Sequence, residues 1–357
     1  MKELENYQMP ALNKTGTIDE YISSLRFHVA ANLDRVYGFS DLHKKYITLG
    51  IPYPSGERFV SNHRKEWITE IKPLTGDHTP TAVVVIAHPD DEAFVGGTIA
   101  KIAKQGKRVV VISLTDGAAG TKHTARHEMV MIRREEEKKA LSRLGANIYI
   151  NLGFPDAKLR AHEQEAIESL TQYFRVFDPA IVIAHRQQDY HMDHRAVSHI
   201  AEDALFNARN ANDVISGIPQ TVRIPALYAM DPQGLMTETG RVTMDITTIV
   251  NINDTLDIKL ASFAFHESQV TAPGPDGKNY IDKSRQEARR RGNIAHFGYA
   301  EALRRIDYGG EAFQANDAIL KEWLGKKNVL TIPKRQLRRT VLFIMNDLLS
   351  SLHFSKK

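Results

Sequence analysis

Ala87-His88-Pro89-Asp90-Asp91-Glu92 places an imidazole and three carboxylates directly behind the apolar run 81–86. A second group, Asp189-Tyr190-His191-Met192-Asp193-His194, stands behind the apolar run 180–184. Imidazole and carboxylate are the donors of a catalytic zinc, which takes three protein ligands and keeps a position for water whose pKa it lowers toward neutrality. His88, Asp91 and His194 supply such a set. Asp90 then lies beside a ligand without being needed as one, free to act as general base. His191 is placed to stabilise a developing oxyanion or to protonate a leaving amine, with Asp193 orienting its ring. The chemistry described is metal-assisted hydrolysis. Taken alone, the first cluster also reads as an acidic helix cap, since Pro89 suits a first helical turn and acids favour a helix N-terminus. His191 alone also reads as a surface loop histidine. Recurrence of the pattern after a second apolar run is what favours a site.

The elements that must position these residues follow from periodicity. The run 81–86 reads as a buried parallel strand, and 96–103 has helical character, so the first cluster falls where a strand turns into a helix. That is the carboxyl edge at which open α/β sheets bind ligands. The run 180–184 predicts another strand, with a helix beginning near Arg195. Between them, 107–114 and 147–152 predict strands, 126–144 a helix ended by Gly145 as a left-handed cap, and 163–177 a helix closed by Asp178-Pro179. This alternation predicts an α/β fold: a Rossmann-like, doubly wound, mainly parallel sheet with helices on both faces and right-handed crossovers. No G-x-G-x-x-G or G-x-x-x-x-G-K-[ST] follows the first strand, which argues against a nucleotide site. Gly96-Gly97 instead suggests close packing at the helix.

With these residues in place, the chain resembles the LmbE-like, or PIG-L, metal-dependent N-deacetylases, whose hallmark is Ala-His-Pro-Asp-Asp-Glu with a later His-x-Asp-His. The match is letter for letter at 87–92 and 191–194. Thr115 to Gly120 is similar to the family's post-strand loop, and Arg133, Glu136, Ala140, Leu144 and Gly145 to its Arg-x-x-Glu helix. Leu152 to Asp156, His266 to Gln269, Arg291-Gly292 and Gly298 to Glu301 resemble further family elements, so the likeness spans about residues 80–310. The resemblance implies His88, Asp91 and His194 as metal ligands, Asp90 as base, and His191 as an aid to the tetrahedral intermediate. It also implies Arg133 and Asp156 as contacts to sugar hydroxyls, although a structural ion pair for the arginine and a turn role for the Asp remain open. The implied cofactor is Zn²⁺, or another divalent metal such as Fe²⁺. The implied substrate is a small amino sugar, an N-acetylglucosamine-type ring or glycoconjugate. Two alternatives are an amidase cleaving a larger amide on a sugar conjugate and a non-catalytic carbohydrate-binding protein of the same fold. An intact Asp90 argues against the latter, because a binding module has little need of a spare carboxylate there.

Composition bounds the rest. The 357 residues contain no cysteine, which excludes disulfides, thiolate ligands and a cysteine nucleophile. The net charge of +4 is mild and its Lys and Arg are mixed with acids, so nucleic acid is not an expected partner. No charged-then-apolar leader opens the chain and no apolar run approaches bilayer length, so a cytoplasmic enzyme without an integral membrane segment is expected. A homo-oligomer is left open.

The sequence divides into an N-terminal helical and irregular extension (1–79), a deacetylase domain (80–310) and a C-terminal helical extension (311–357). Thr17 to Glu20 forms a capping box ahead of an amphipathic helix over 18–37, while 38–80, rich in Pro and Gly, reads as an irregular connection in which Tyr53 and Trp67 anchor the chain or border the cleft. Near the end, an apolar stripe from Leu337 to Leu352 behind the basic run 334–339 reads as a docked helix or dimer contact, with a membrane-surface helix as the alternative. The turn-rich 270–277 and the charged 284–291 read as a lid or as a solvated loop and helix. His266 and His296 stay outside the ligand set.

Overall fold

In the computed structural model, the described residues are 45, 56–61, 64–72, 81–120, 124–210, 218–232, 245–271, 279–307 and 317–332. The helix expected over 18–37, Tyr53, most of the 270–277 loop and the stripe from Leu337 to Leu352 lie outside them.

Among the described residues, ten strands share one sheet: β1 (Gly56–Ser61), β2 (Arg64–Glu70), β3 (Thr81–Ile86), β4 (Arg108–Thr115), β5 (Ile148–Phe154), β6 (Ile181–Ala184), β7 (Ala226–Met230), β8 (Thr248–Asn251), β9 (Ala300–Ile306) and β10 (Val329–Thr331). Their order is β1-β2-β5-β4-β3-β6-β7-β9-β8-β10. The central run from β5 to β7 is parallel throughout, and the strands flanking it pair antiparallel. The fold class is therefore the expected α/β sheet, extended by antiparallel edges.

Among the described residues, the α-helices are α1 (Gly96–Lys104), α2 (Arg126–Leu144), α3 (Glu163–Phe177), α4 (Met192–Arg209), α5 (Leu256–Phe263), α6 (Glu267–Val270), α7 (Tyr280–Ile294) and α8 (Ala318–Leu324). Strand side chains alternate between two cores. Val83 and Val85 join Leu170, Phe174, Val197 and Ile200 of α3 and α4 on one face. Ala82, Val84 and Ile86 meet Ile99, Ile102, Leu141, Leu144 and Leu260 of α1, α2 and α5 on the other. Burial on both faces explains why β3 and β4 read as unbroken apolar runs.

From β3 the chain winds to β4 and β5 on one side, then crosses back to β6 and β7 on the other. The crevice between the carboxyl ends of β3 and β6 is thus the switch point of the topology, where an open sheet leaves room for a ligand. His88 follows β3 and the His185–His194 segment follows β6, so both clusters meet there.

Several local expectations hold. Gly145 closes α2 with φ 88°, and α3 ends at Phe177 with Asp178 left-handed. A Cβ on Gly97 would lie 2.8 Å from Ile252, so the glycine permits close helix packing. Two differ. Residues 56–61 and 64–70, expected as irregular, form an antiparallel strand pair that joins β5 through β2. Trp67 lies on that pair, with the Arg134 guanidinium 4.3 Å from its ring centroid. In addition, α4 begins at Met192 rather than Arg195, because His191 caps it by accepting the Asp193 N–H at Nδ1, 3.2 Å away.

Candidate active site

The loop after β3 is fixed before any side chain is considered. Thr115, at the end of β4, donates both its N–H (2.9 Å) and its hydroxyl (2.8 Å) to the Ala87 carbonyl. The Asp91 carboxylate caps the same loop by accepting the His88 N–H at 2.7 Å. It also meets two of the expected partners: Oδ2 lies 3.2 Å from His88 Nδ1 and Oδ1 lies 3.2 Å from His194 Nε2. All three side chains are buried.

The outer nitrogens of both histidines are occupied by carboxylates. His88 Nε2 lies 3.2 Å from Asp156 Oδ1 and 3.3 Å from Asp193 Oδ2, while His194 Nδ1 lies 3.0 Å from Asp189 Oδ1. A carboxylate on one ring nitrogen fixes the proton there and directs the other lone pair inward. His88 Nδ1 and His194 Nε2 are the nitrogens so directed, and both face Asp91. Burial acts to lower the His194 pKa, but Asp91 and Asp189 push it up to about 9. Burial acts to raise Asp91, and the imidazoles of His194, His185 and His88 hold it well below the ordinary carboxylate range. This attraction of several bases to one acid is the electrostatics of a cation site. Ligand atoms of His88, His191 and His194 lie within 4.8 Å of one another, and so do those of Asp91, His185 and His194. The donor set therefore fits a divalent metal held by nitrogen and oxygen.

His185 joins this cluster without any role assigned from the sequence. Its ring stacks on His194 with centroids 3.9 Å apart, and its Nε2 lies 3.3 Å from Asp91 Oδ2. That Nε2 also accepts the Ala87 N–H at 3.1 Å, while Asp91, His185 and His194 form one of the groups able to hold a metal ion. The only sequence signal was its place immediately after β6.

Asp90 turns away from Asp91. Arg133 NH2 lies 2.9 Å from Asp90 Oδ1, and the Asp90 N–H donates to Glu137 Oε2 at 3.0 Å. Its backbone has φ 120°, a conformation that costs a non-glycine residue on the order of 1–3 kcal/mol. Burial pushes the Asp90 carboxyl up to about 6, with Arg133 opposing. Behind it lies a second buried group. His266 Nε2 lies 2.9 Å from Glu92 and 3.7 Å from Glu137, and burial beside Glu92 holds the Glu137 carboxyl well above its ordinary range. His296 has no place in either cluster, but it takes a left-handed conformation with φ 55°.

Three of the assigned residues have surroundings other than those expected. The Asp193 carboxylate does not orient His191. It accepts the N–H groups of Ala157 (2.8 Å) and Leu159 (3.2 Å) and faces His88, and only its backbone N–H reaches His191. Asp156, expected at a sugar, is buried between His88 and the Ala119 N–H, 2.8 Å away. Arg133, expected beside it, is buried and bonded to the carbonyls of Pro89 and Gly117 as well as to Asp90. The ion-pair role is the one its surroundings display.

His191 is half-buried, with its ring edge-on to His88 at a centroid distance of 4.6 Å. Because Nδ1 accepts a hydrogen bond, the proton sits on Nε2. Burial, with His88 and His194 nearby, lowers its pKa to about 4, so the ring is neutral at pH 7.

Paired histidines, each backed by carboxylates and facing one aspartate at the switch point of an α/β sheet, make a donor set able to hold a metal ion. Residues 83–205 match the PIG-L family, described as GlcNAc-PI de-N-acetylase. The diacetylchitobiose deacetylase of Thermococcus kodakarensis is 31% identical over 188 residues, which cover 51% of this chain and 67% of that protein. The chain belongs to the PIG-L family. A probable N-acetyl-alpha-D-glucosaminyl L-malate deacetylase of Bacillus cereus is 28% identical over 201 residues, covering 53% of this chain and 84% of that protein. Two solved structures share the fold at TM-score 0.54 over 66% of this chain. They are the N,N'-diacetylchitobiose deacetylase of Pyrococcus horikoshii (24% identical, 88% of that chain) and the 4-carboxy-2-hydroxymuconate hydratase GalB of Pseudomonas putida KT2440 (23% identical, 100% of that chain). Among the described residues, no helix is long and apolar enough to cross a membrane.

Proposed function

We propose that this enzyme removes the N-acetyl group from an N-acetylglucosamine-type sugar or glycoconjugate, with Zn²⁺ held by His88, Asp91 and His194. The observation that carries the proposal is the division of labour between adjacent aspartates: Asp91 faces two inward-directed imidazole nitrogens, while Asp90 is held apart by Arg133. A divalent cation in such a set supplies Lewis-acid polarisation of a carbonyl and acidifies water. Asp90, with a pKa of about 6, accepts the proton of the attacking water near neutral pH and then delivers it to the departing amine. Neutral His191 donates its Nε2–H to the oxygen that becomes negative in the tetrahedral intermediate. Asp156 and Asp193 hold His88, and Asp189 holds His194.

The sugar assignment draws on the family and on deacetylases that include those of diacetylchitobiose and of an N-acetylglucosaminyl malate. The fold by itself does not decide the reaction, since a hydratase shares it.

The test is acetate and free-amine release from N-acetylglucosamine, N,N'-diacetylchitobiose and an acetyl-lysine peptide, with Asp90→Asn and Asp91→Ala variants. Asp90→Asn is expected to keep its metal and lose about a hundredfold or more in turnover, the scale of general-base loss. Asp91→Ala is expected to lose the metal. Full turnover in Asp90→Asn would remove the base assignment, and faster reaction of the peptide would remove the sugar.

A further inference from the structure

We infer that Glu137 is a positioning residue that fixes the backbone of Asp90, so that one face of α2 sets the geometry of the proton-transfer group. The inference rests on the assignment of Asp90 as base. Asp90 adopts φ 120° and ψ −17°, a conformation that an L-residue keeps only when its surroundings impose it. The partner its N–H meets is the Glu137 carboxylate, 3.0 Å away on another element 47 residues along the chain. Glu137 lies one helical turn beyond Arg133, and residues four apart share a helix face. From that face Arg133 grips the Pro89 carbonyl and the Asp90 carboxylate, while Glu137 takes the Asp90 amide. Both backbone contacts fall on the single Pro89–Asp90 peptide unit, whose carbonyl and amide are each held, and the Asp90 carboxylate beyond it is held by the same arginine.

Glu137 is poorly explained as a stabiliser. It is fully buried, in contact with a second fully buried acid, Glu92, and burying two neighbouring carboxyls is unfavourable. The surrounding contacts tie the assembly to α6. His266 binds Glu92 at 2.9 Å, while the Ser268 N–H and hydroxyl bind Glu136 at 2.7 and 2.6 Å. The segment His266 to Ser268 therefore clamps both the helix that carries Glu137 and the turn that carries Asp90.

The test compares Glu137→Met, which removes the acceptor, with Glu137→Gln, whose amide oxygen can replace it. Glu137→Ala serves as a second acceptor-free variant if the methionine protein does not fold. Crystal structures should show Asp90 leaving its positive-φ conformation in the acceptor-free variant and keeping it in Glu137→Gln. With N,N'-diacetylchitobiose as probe, kcat should fall about tenfold to a hundredfold in the acceptor-free variant, the scale of a small misplacement of a reacting group. KM and bound zinc should be unchanged, and Glu137→Gln should restore most of kcat. In an Asp90→Asn background the acceptor-free change should add less than about a twofold further loss, because both substitutions disable one device. Retention of positive φ at Asp90 in the acceptor-free variant would overturn the inference. So would unaltered kcat alongside an inactive Asp90→Asn protein, or additive losses in the double variant. If Asp90→Asn is itself fully active, the base assignment falls, and the crystal structures still decide whether Glu137 fixes the backbone.

Discussion

His194 Nδ1 lies 3.0 Å from the carboxylate of Asp189, and this pairing leaves His194 Nε2 facing Asp91. Asp189 is fully buried and also accepts the backbone N–H of His191 at 2.9 Å, so one carboxylate holds the His194 ring and the main chain at His191. Burial acts to raise its pKa, and the contacts with His194 and His185 hold it below the ordinary range.

Removing that charge should loosen the metal without removing a ligand. Asp189→Asn is expected to weaken zinc affinity about tenfold to a hundredfold, the usual effect of losing the carboxylate behind a ligating histidine. Competition with a chelator measures this directly. Activity should recover at saturating metal, and a variant that binds zinc as tightly as the parent would show that Asp189 serves only the loop.

Asp156 distinguishes metal support from sugar contact. Its Oδ1 lies 3.2 Å from His88 Nε2, and burial, which acts to raise its pKa, is outweighed by His88 so that the group falls to about 2. If Asp156 holds His88, Asp156→Asn weakens zinc binding and leaves KM for an N-acetylated sugar unchanged at saturating metal. A raised KM with unchanged metal affinity would return the residue to the sugar-binding role implied by family resemblance.

The parts of this site legible in the sequence were those encoded locally. An apolar run followed by His88, Asp90 and Asp91 announces a strand, an edge and a chemistry within a few positions. The support around them was not legible, because it joins residues far apart: Glu92 meets His266 across 174 positions and His88 meets Asp193 across 105. Asp193 was assigned to its sequence neighbour His191 for want of any signal pointing elsewhere. The β1–β2 pair was missed for a different reason. Its inward face in β2 carries Arg64 and Glu66 beside Ile68, so charge stands where the alternation rule expects apolar residues.

Gly97 offers a test of packing beneath the site. Its N–H and that of Thr98 donate to the Glu301 carboxylate at 2.8 and 2.7 Å, which caps the start of α1. A methyl group at this position would meet Ile252 at 2.8 Å. Gly97→Ala should therefore destabilise the protein by roughly 1–3 kcal/mol, the range for overpacking, despite alanine's better helix propensity. Ile252→Ala should cost less in the Gly97→Ala background than in the parent, since the two sites compete for one space. Thermal melts of the four proteins measure the coupling, and additive losses would show that α1 shifts instead.

The β1–β2 pair gives a prediction in pH. Glu66 is buried with Arg64 NH1 at 2.7 Å and Arg58 NH2 at 2.7 Å, and it accepts the Tyr173 hydroxyl at 2.9 Å. Arg64 also donates to the Leu152 carbonyl at 2.8 Å and the Ser169 hydroxyl at 3.1 Å, which ties the strand pair to β5 and α3. Burial acts to raise the Glu66 pKa, but the two guanidinium groups and their hydrogen bonds bring it below the ordinary value of 4.5. A carboxyl with a depressed folded-state pKa stabilises the fold at pH values above its unfolded pKa and loses that contribution as pH falls through the folded value. Glu66→Gln, which removes the charge facing buried Arg64 and partly buried Arg58 while Arg64 keeps Glu165, should cost about 1–3 kcal/mol at neutral pH. Its deficit should stay constant down to about pH 5 and shrink below 4.5, as the parent's own Glu66 takes up a proton. Urea unfolding of both proteins from pH 7 to pH 3 reads the gap. A difference that does not narrow under acid would mean that packing of the glutamate, rather than its charge, holds the strand pair to the sheet.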